Sequence, residues 1–314
     1  FLCDYVDRFF EAADVTLVRA LSGGSLRPEA LRALDPRFGV EGIERARRRG
    51  IVDFGPNGTV GLADFHARFE VWALFEGWKD VPDEIREALN QWELEYYIDC
   101  ERATMEALRA GGEGAAGVEV EDYLLLHEAE ALIDRAPHVY LWPCNCRAMM
   151  GKCAKPMNTC LRFTNDRGIG WEVSAERAKA IVREANAVGL MQTGGLNEVD
   201  GRVTGAICNC CTDCCYPHIA ADRLGLEKLW PRSRYVARRV PEACTACGRC
   251  ARRCPFGAFV AETRHSPDTG AALIQISFVE GLCRGCGVCA TACTEGAIIM
   301  DPLVEVEGTR GAVT

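Results

Sequence analysis

Of 19 cysteines, 17 lie between Cys144 and Cys293, in four short runs. "CNCRAMMGKCAKPMNTC" holds Cys144, Cys146, Cys153 and Cys160, and "CNCCTDCC" holds Cys208, Cys210, Cys211, Cys214 and Cys215. "CTACGRCARRCP" holds Cys244, Cys247, Cys250 and Cys254, and "CRGCGVCATACT" holds Cys283, Cys286, Cys289 and Cys293. Cys3 and Cys100 stand apart. Disulfides account poorly for this pattern, because adjacent cysteines seldom meet the bridge geometry and an oxidised secreted chain would scatter its bridges. Local crowding of thiols reads instead as metal ligation by thiolates in a reducing compartment.

The last two runs repeat one spacing, C-x2-C-x2-C-x3-C. Two-residue gaps wrap the backbone round the corner of an iron–sulfur cube and aim successive thiolates at different irons. Gly248, Gly285 and Gly287 permit the tight turns. A structural zinc site is the alternative, and the duplicated spacing argues against it. Residues 238–303 resemble a bacterial-type two-[4Fe–4S] ferredoxin. That resemblance implies one cluster on Cys244, Cys247, Cys250 and Cys293, and another on Cys283, Cys286, Cys289 and Cys254. There are two departures from the shortest members of that family. Thr294 stands where a proline would follow the second run, and 28 residues separate Cys254 from Cys283. We expect a hairpin in that insert, Ala258–Thr263 with Ala271–Phe278, turning at "SPDTG".

The nine middle cysteines admit several solutions. Two cubanes would use eight, one cluster with one zinc would also use eight, and one cluster alone would leave five. One or two further iron–sulfur clusters are expected here, with at least one thiol spare. The neighbours Cys210–Cys211 and Cys214–Cys215 diverge, so each pair suits two sites rather than one. "HVYLWPCNCR" and "GRVTGAICNCC" read as strands running into ligands, with a helix capped by Ser174 and ending at Gly189 between them. This order would bring both ligand loops to one end. His218, after "CCYP", could serve as a ligand; a surface or packing role is the plainer expectation. The "PCNCR" and "ICNCC" pairing resembles a group of poorly characterised 4Fe-4S-binding proteins of anaerobes, which carry a small helical N-terminal part and a C-terminal ferredoxin repeat. The resemblance implies anaerobic redox metabolism and a large oxidoreductase partner.

The supporting elements are those of an α+β multidomain chain. Residues 1–110 read as a mainly helical domain, 111–117 ("GGEGAAG") as a linker, 118–238 as a cysteine-rich α/β domain and 239–314 as the ferredoxin-like domain. Within the first, a helix at Ser25–Leu34, a second at Val40–Arg49 stopped by Gly50, and a hairpin over Ile51–Phe65 turning at "GPNG" resemble a winged helix. A long helix is expected over 81–110, and Trp72, Trp78, Trp92, Tyr96 and Tyr97 are expected in a core. Arg45, Arg47, Arg48 and Arg49 could touch DNA phosphates, but cations also favour a helix C-terminus. Residues 1–135 carry 15 Lys and Arg against 28 Asp and Glu, a field that repels DNA. Residues 136–239 reverse this, with 15 against 9, which suits anionic clusters.

No apolar stretch is long enough to span a membrane and no signal peptide is recognisable, although the first residue is Phe1 rather than Met; the cytoplasm is the expected location. No nucleotide or flavin pattern occurs, and no catalytic residue can be named. Electron transfer, as a partner or subunit of an oxidoreductase, is the leading expectation. An enzyme with a site-differentiated cluster and a redox-sensing DNA-binding regulator are the alternatives. The N-terminal domain is expected to serve docking or self-association.

Overall fold

A computed structural model describes residues 5–111, 120–199, 201–265 and 272–303. The described chain divides into two compact units, one of residues 5–93 with 148–150 and 165–170, the other of the remaining described residues.

The first unit contains α1 (Val6–Phe9), α2 (Ala12–Leu21), α3 (Pro28–Leu34), α4 (Val40–Arg48), β1 (Val52–Phe54), β2 (Val60–Leu62) and α5 (Phe65–Phe75). It also holds the start of α6 (Asp83–Ala110). Leu17, Leu21, Leu31, Phe38, Ile43, Val52 and Val60 form its core. Phe9, Phe69, Trp72 and Trp78 stack beside α5, largely edge to face. The hairpin turns over residues 55–58, as its "GPNG" predicts. Helix α3 begins at Pro28 rather than Ser25, because Leu26 is drawn into a bridge with Val60. Gly50 has φ +73°, and a side chain there would strike the Ala67 carbonyl. Three arginines of the basic run are tied to carboxylates: Arg45 to Glu11, Arg47 to Glu44, and Arg49 to Asp14 and Glu76.

The second unit is built on a six-stranded sheet. Its strands are β3 (Asp122–Leu124), β4 (Val139–Pro143), β5 (Asn158–Arg162), β6 (Trp171–Val173), β7 (Met191–Val199) and β8 (Arg202–Cys210), in the order β3-β7-β8-β5-β4-β6. Every pairing is antiparallel, so this part is α+β in detail rather than α/β. Strands β4 and β8 flank β5 and therefore run the same way, and their C-terminal ends lie at one edge. Helices α7 (Leu126–Arg135) and α9 (Ala175–Ala187) cover one face, burying Ala129, Ile133, Leu161, Ala178, Val182 and Ile207. Ser174 caps α9 by accepting from the Arg177 amide. The short helices α8 (Asn145–Met150) and α10 (Tyr216–Leu224) follow β4 and β8.

The C-terminal part pairs β9 (Tyr235–Arg239) with the last strand, and β10 (Phe259–His265) with β11 (Ala272–Phe278). Between them lie α11 (Arg249–Arg253) and α12 (Val288–Thr291), and β12 (Ile298–Pro302) ends the described chain. The inserted hairpin is present, its first strand beginning one residue and ending two residues later than expected; its "SPDTG" turn lies outside the described residues, as do most of the linker and Cys3. Among the described residues, no helix is long and apolar enough to cross a membrane.

Candidate metal centres

In the C-terminal part the eight cysteines line two separate cavities. Cys244, Cys247, Cys250 and Cys293 line one, with Ile276 and Ile298. Cys254, Cys283, Cys286 and Cys289 line the other, with Phe256, Phe259 and Met300. Each cavity thus draws three thiols from one run and the fourth from the other. Gly248, Gly285 and Gly287 all have φ between +71° and +73°, the left-handed turns that aim the thiols inward. At Gly285 a Cβ would lie 2.2 Å from the Tyr235 carbonyl oxygen. Backbone amides donate to sulfur: Ala237 to Cys283 at 3.4 Å, Ala258 to Cys254 at 3.3 Å and Ala297 to Cys293 at 3.2 Å. Such bonds favour the thiolate over the thiol. Burial opposes them at Cys286, whose thiol is pushed up to about 12, and at Cys289. Four thiols around each cavity, with amides aimed at sulfur, fit an iron–sulfur cluster in each.

The middle nine cysteines fall into two groups. Strand periodicity explains why. The register that sets Leu161 opposite Ile207 sets Cys160 beside Cys208 on the other face. Cys210 shares that face, and Cys208 and Cys210 stand opposite Thr193 and Met191 of β7. Cys144 caps α8 and Cys215 caps α10, both at the edge where β4 and β8 end. Mutual thiol–thiol interactions run through six of them in a row, Cys144–Cys160–Cys208–Cys210–Cys215–Cys146. The neighbouring Cys144 and Cys208 thiols hold Cys160 well below the usual thiol range, and those of Cys208 and Cys215 do the same for Cys210. Cys144, Cys208 and Cys215 are correspondingly pushed up.

The other three form a compact triangle. The Cys153 sulfur lies 3.7 Å from those of Cys211 and Cys214, and the three ligand atoms lie within 4.8 Å of one another. The neighbours in sequence are therefore separated in space: Cys210 and Cys215 join the row, while Cys211 and Cys214 join the triangle.

Two features here were not read from sequence; for a third, His218, the sequence allows a ligand, with a surface or packing role the plainer expectation. His218 is buried rather than at the surface. It is 4% exposed, its Nδ1 lies 3.1 Å from the Tyr123 hydroxyl, and a ring nitrogen lies within 4.8 Å of the Cys210 and Cys215 sulfurs. Arg147 is 1% exposed and donates to the carbonyls of Pro156 and Asn209 and to the Thr159 hydroxyl. From there a buried amide chain runs through Asn209, Gln192 and Asn186 to Thr291 of α12. Only its "CNCR" and "CNCC" positions could have drawn attention to Arg147 and Asn209.

Residues 243–298 match the family described as the 4Fe-4S dicluster domain. No curated protein and no solved structure matches the chain. The C-terminal part is accordingly a ferredoxin-like iron–sulfur domain, and the matched family covers less than half of the chain.

Proposed function

We propose that this chain is a multi-cluster iron–sulfur protein that carries electrons to or from a redox partner protein, as a partner or subunit of a larger oxidoreductase. Cys244, Cys247, Cys250 and Cys293 hold one [4Fe–4S] cluster, and Cys254, Cys283, Cys286 and Cys289 hold a second. The six-thiol row of Cys144, Cys146, Cys160, Cys208, Cys210 and Cys215 offers the four thiolates that one further cluster takes, and two more. When bound, each cluster supplies a site that takes up and gives back one electron.

The observation that carries this reading is a shared core. Cys210 and Cys215 of the row pack with Tyr123, Met191 and Val288 against Cys286 of the ferredoxin-like part. Tyr123, His218 and Phe256 fill the same junction, with ring centroids 5.6–6.2 Å apart. The chain thus excludes water between its two thiol-bearing parts and joins them by packed side chains. The DNA-binding alternative finds less support, since Arg45, Arg47 and Arg49 are engaged by carboxylates.

The test is iron and acid-labile sulfide per chain in protein never exposed to oxygen. Two clusters give about eight irons, and a third about twelve. A value near eight would overturn the middle-cluster assignment and leave the ferredoxin-like part as it stands.

A further inference from the structure

Cys153, Cys211 and Cys214 are arranged differently from the eight C-terminal cysteines. In a cubane each thiolate has its own iron, so ligand sulfurs stand well apart. Around a single zinc ion at a bond length of about 2.3 Å, a tetrahedron sets its sulfurs about 3.8 Å apart. The two sulfur–sulfur distances from Cys153 are 3.7 Å.

Arg147 supplies the second observation. Its guanidinium is buried, and its hydrogen bonds to oxygen go to neutral groups, of Pro156, Thr159 and Asn209. Its Nε has no hydrogen-bond partner. The groups whose charge would act on this cation are the thiols of Cys144, Cys211 and Cys153, once ionised. A buried cation needs an anion nearby, and thiols at this density stay ionised when a metal neutralises them.

We propose that Cys153, Cys211 and Cys214 bind one zinc ion as a three-thiolate site whose fourth position is filled from solvent. Cys211 and Cys214 are each 1% exposed, whereas Cys153 is half-buried on the loop between α8 and β5. That loop side is where the group meets water. Zinc sites with three protein ligands keep a position for an outside ligand. Here the fitting class is an exogenous thiol: its proton leaves to solvent, a zinc–sulfur bond forms and the bound water departs. Three thiolates and one Zn2+ carry one net negative charge, which the Arg147 guanidinium offsets.

The test uses the full chain, purified without oxygen and without added thiols. Zinc analysis is expected to give about one ion per chain, and zinc-edge X-ray absorption about three sulfurs and one light atom at zinc. Adding 2-mercaptoethanol should convert the light atom to a fourth sulfur. Cys153→Ser, on the half-buried loop, should lose at least tenfold in zinc affinity and keep its iron; Cys214→Ser should do the same. Four sulfurs before any thiol is added would overturn the open position. Loss of about four irons from Cys153→Ser, with no zinc in the parent, would place a cluster on the triangle and overturn the zinc site. That outcome leaves the electron-transfer reading intact. Iron near eight beside one zinc would instead fail that reading's middle cluster and support this site.

Discussion

Single residues decide which thiols line which cavity. Cys254 belongs by sequence to the first C-terminal run but lines the cavity of the second. Cys254→Ala is therefore expected to remove or convert the cluster of Cys283, Cys286 and Cys289, costing up to about four irons. Electron paramagnetic resonance of the reduced protein reports which signal disappears; loss of the cluster nested among Cys244, Cys247 and Cys250 would falsify the crossed arrangement. In the first unit, His66 Nδ1 lies 2.9 Å from the carboxylate of Glu93, whose side chain is fully buried. The Glu93 contact raises the His66 pKa, and burial raises that of Glu93. Both groups thus bind protons more tightly folded than unfolded, so stability falls as pH rises from each unfolded value toward the folded one. For His66 that window opens near about 6.5. Hydrogen-exchange protection of α5 should decline as pH rises through it, and His66→Gln should flatten the decline. A slope unchanged in the variant would remove His66 as its source.

At the level of elements, the hairpin of β7 and β8 places the thiol row. Gly194 has φ +136°, and a Cβ there would lie 2.0 Å from the Ala206 carbonyl oxygen; Gly205 has φ +116° and meets the Gly195 carbonyl at 2.3 Å. Gly194→Ala must push β8 away or twist β7, at about 1–3 kcal/mol. Since β8 carries Cys208 and Cys210, metal in the middle part should fall while the ferredoxin-like signals stay. Equal loss from both parts would refute this dependence. The same glycines explain what sequence reading missed. β4, β8 and α9 were legible from apolar runs and a Ser174 cap, but "MQTGGLNEV" carries a glycine pair that ordinarily weakens a strand. Here it permits close backbone approach. β5 holds Asn158, Thr159 and Cys160 without clean alternation, because one face meets the core and the other meets thiols. The divergence of Cys210 from Cys211 was legible, since it follows from local stereochemistry. The joining of Cys153 to Cys211 was not, because it depends on pairing 58 residues apart.

Across the whole molecule, much of the positive charge of the middle segment is engaged by carboxylates. Arg232 pairs with Asp122, Arg234 with Glu128 and Arg238 with Asp301, so much of it fastens strands and helices within the second unit. Further ties join the middle sheet to the ferredoxin-like part. Arg253 donates to the carbonyls of Ala187 and Asn186, and the Thr291 hydroxyl donates to the Asn186 side chain. Gly287 lies so close to Leu125 that a Cβ would meet its Cδ2 at 2.7 Å. Two regions that share a core and buried polar bonds should open together, whereas the first unit has a core of its own. The expected outcome is two cooperative units in native-state hydrogen exchange, residues 5–93 in one and the sheet with the ferredoxin-like part in the other. Leu161→Ala, at a fully buried core position, should cost about 2–5 kcal/mol and lower protection in β9 and β12 as well as in the sheet. It should leave α2 and α4 unchanged. If β9 and β12 kept their parent protection while the sheet opened, the shared core would not couple the two parts, and the case for one continuous electron path through it would weaken accordingly.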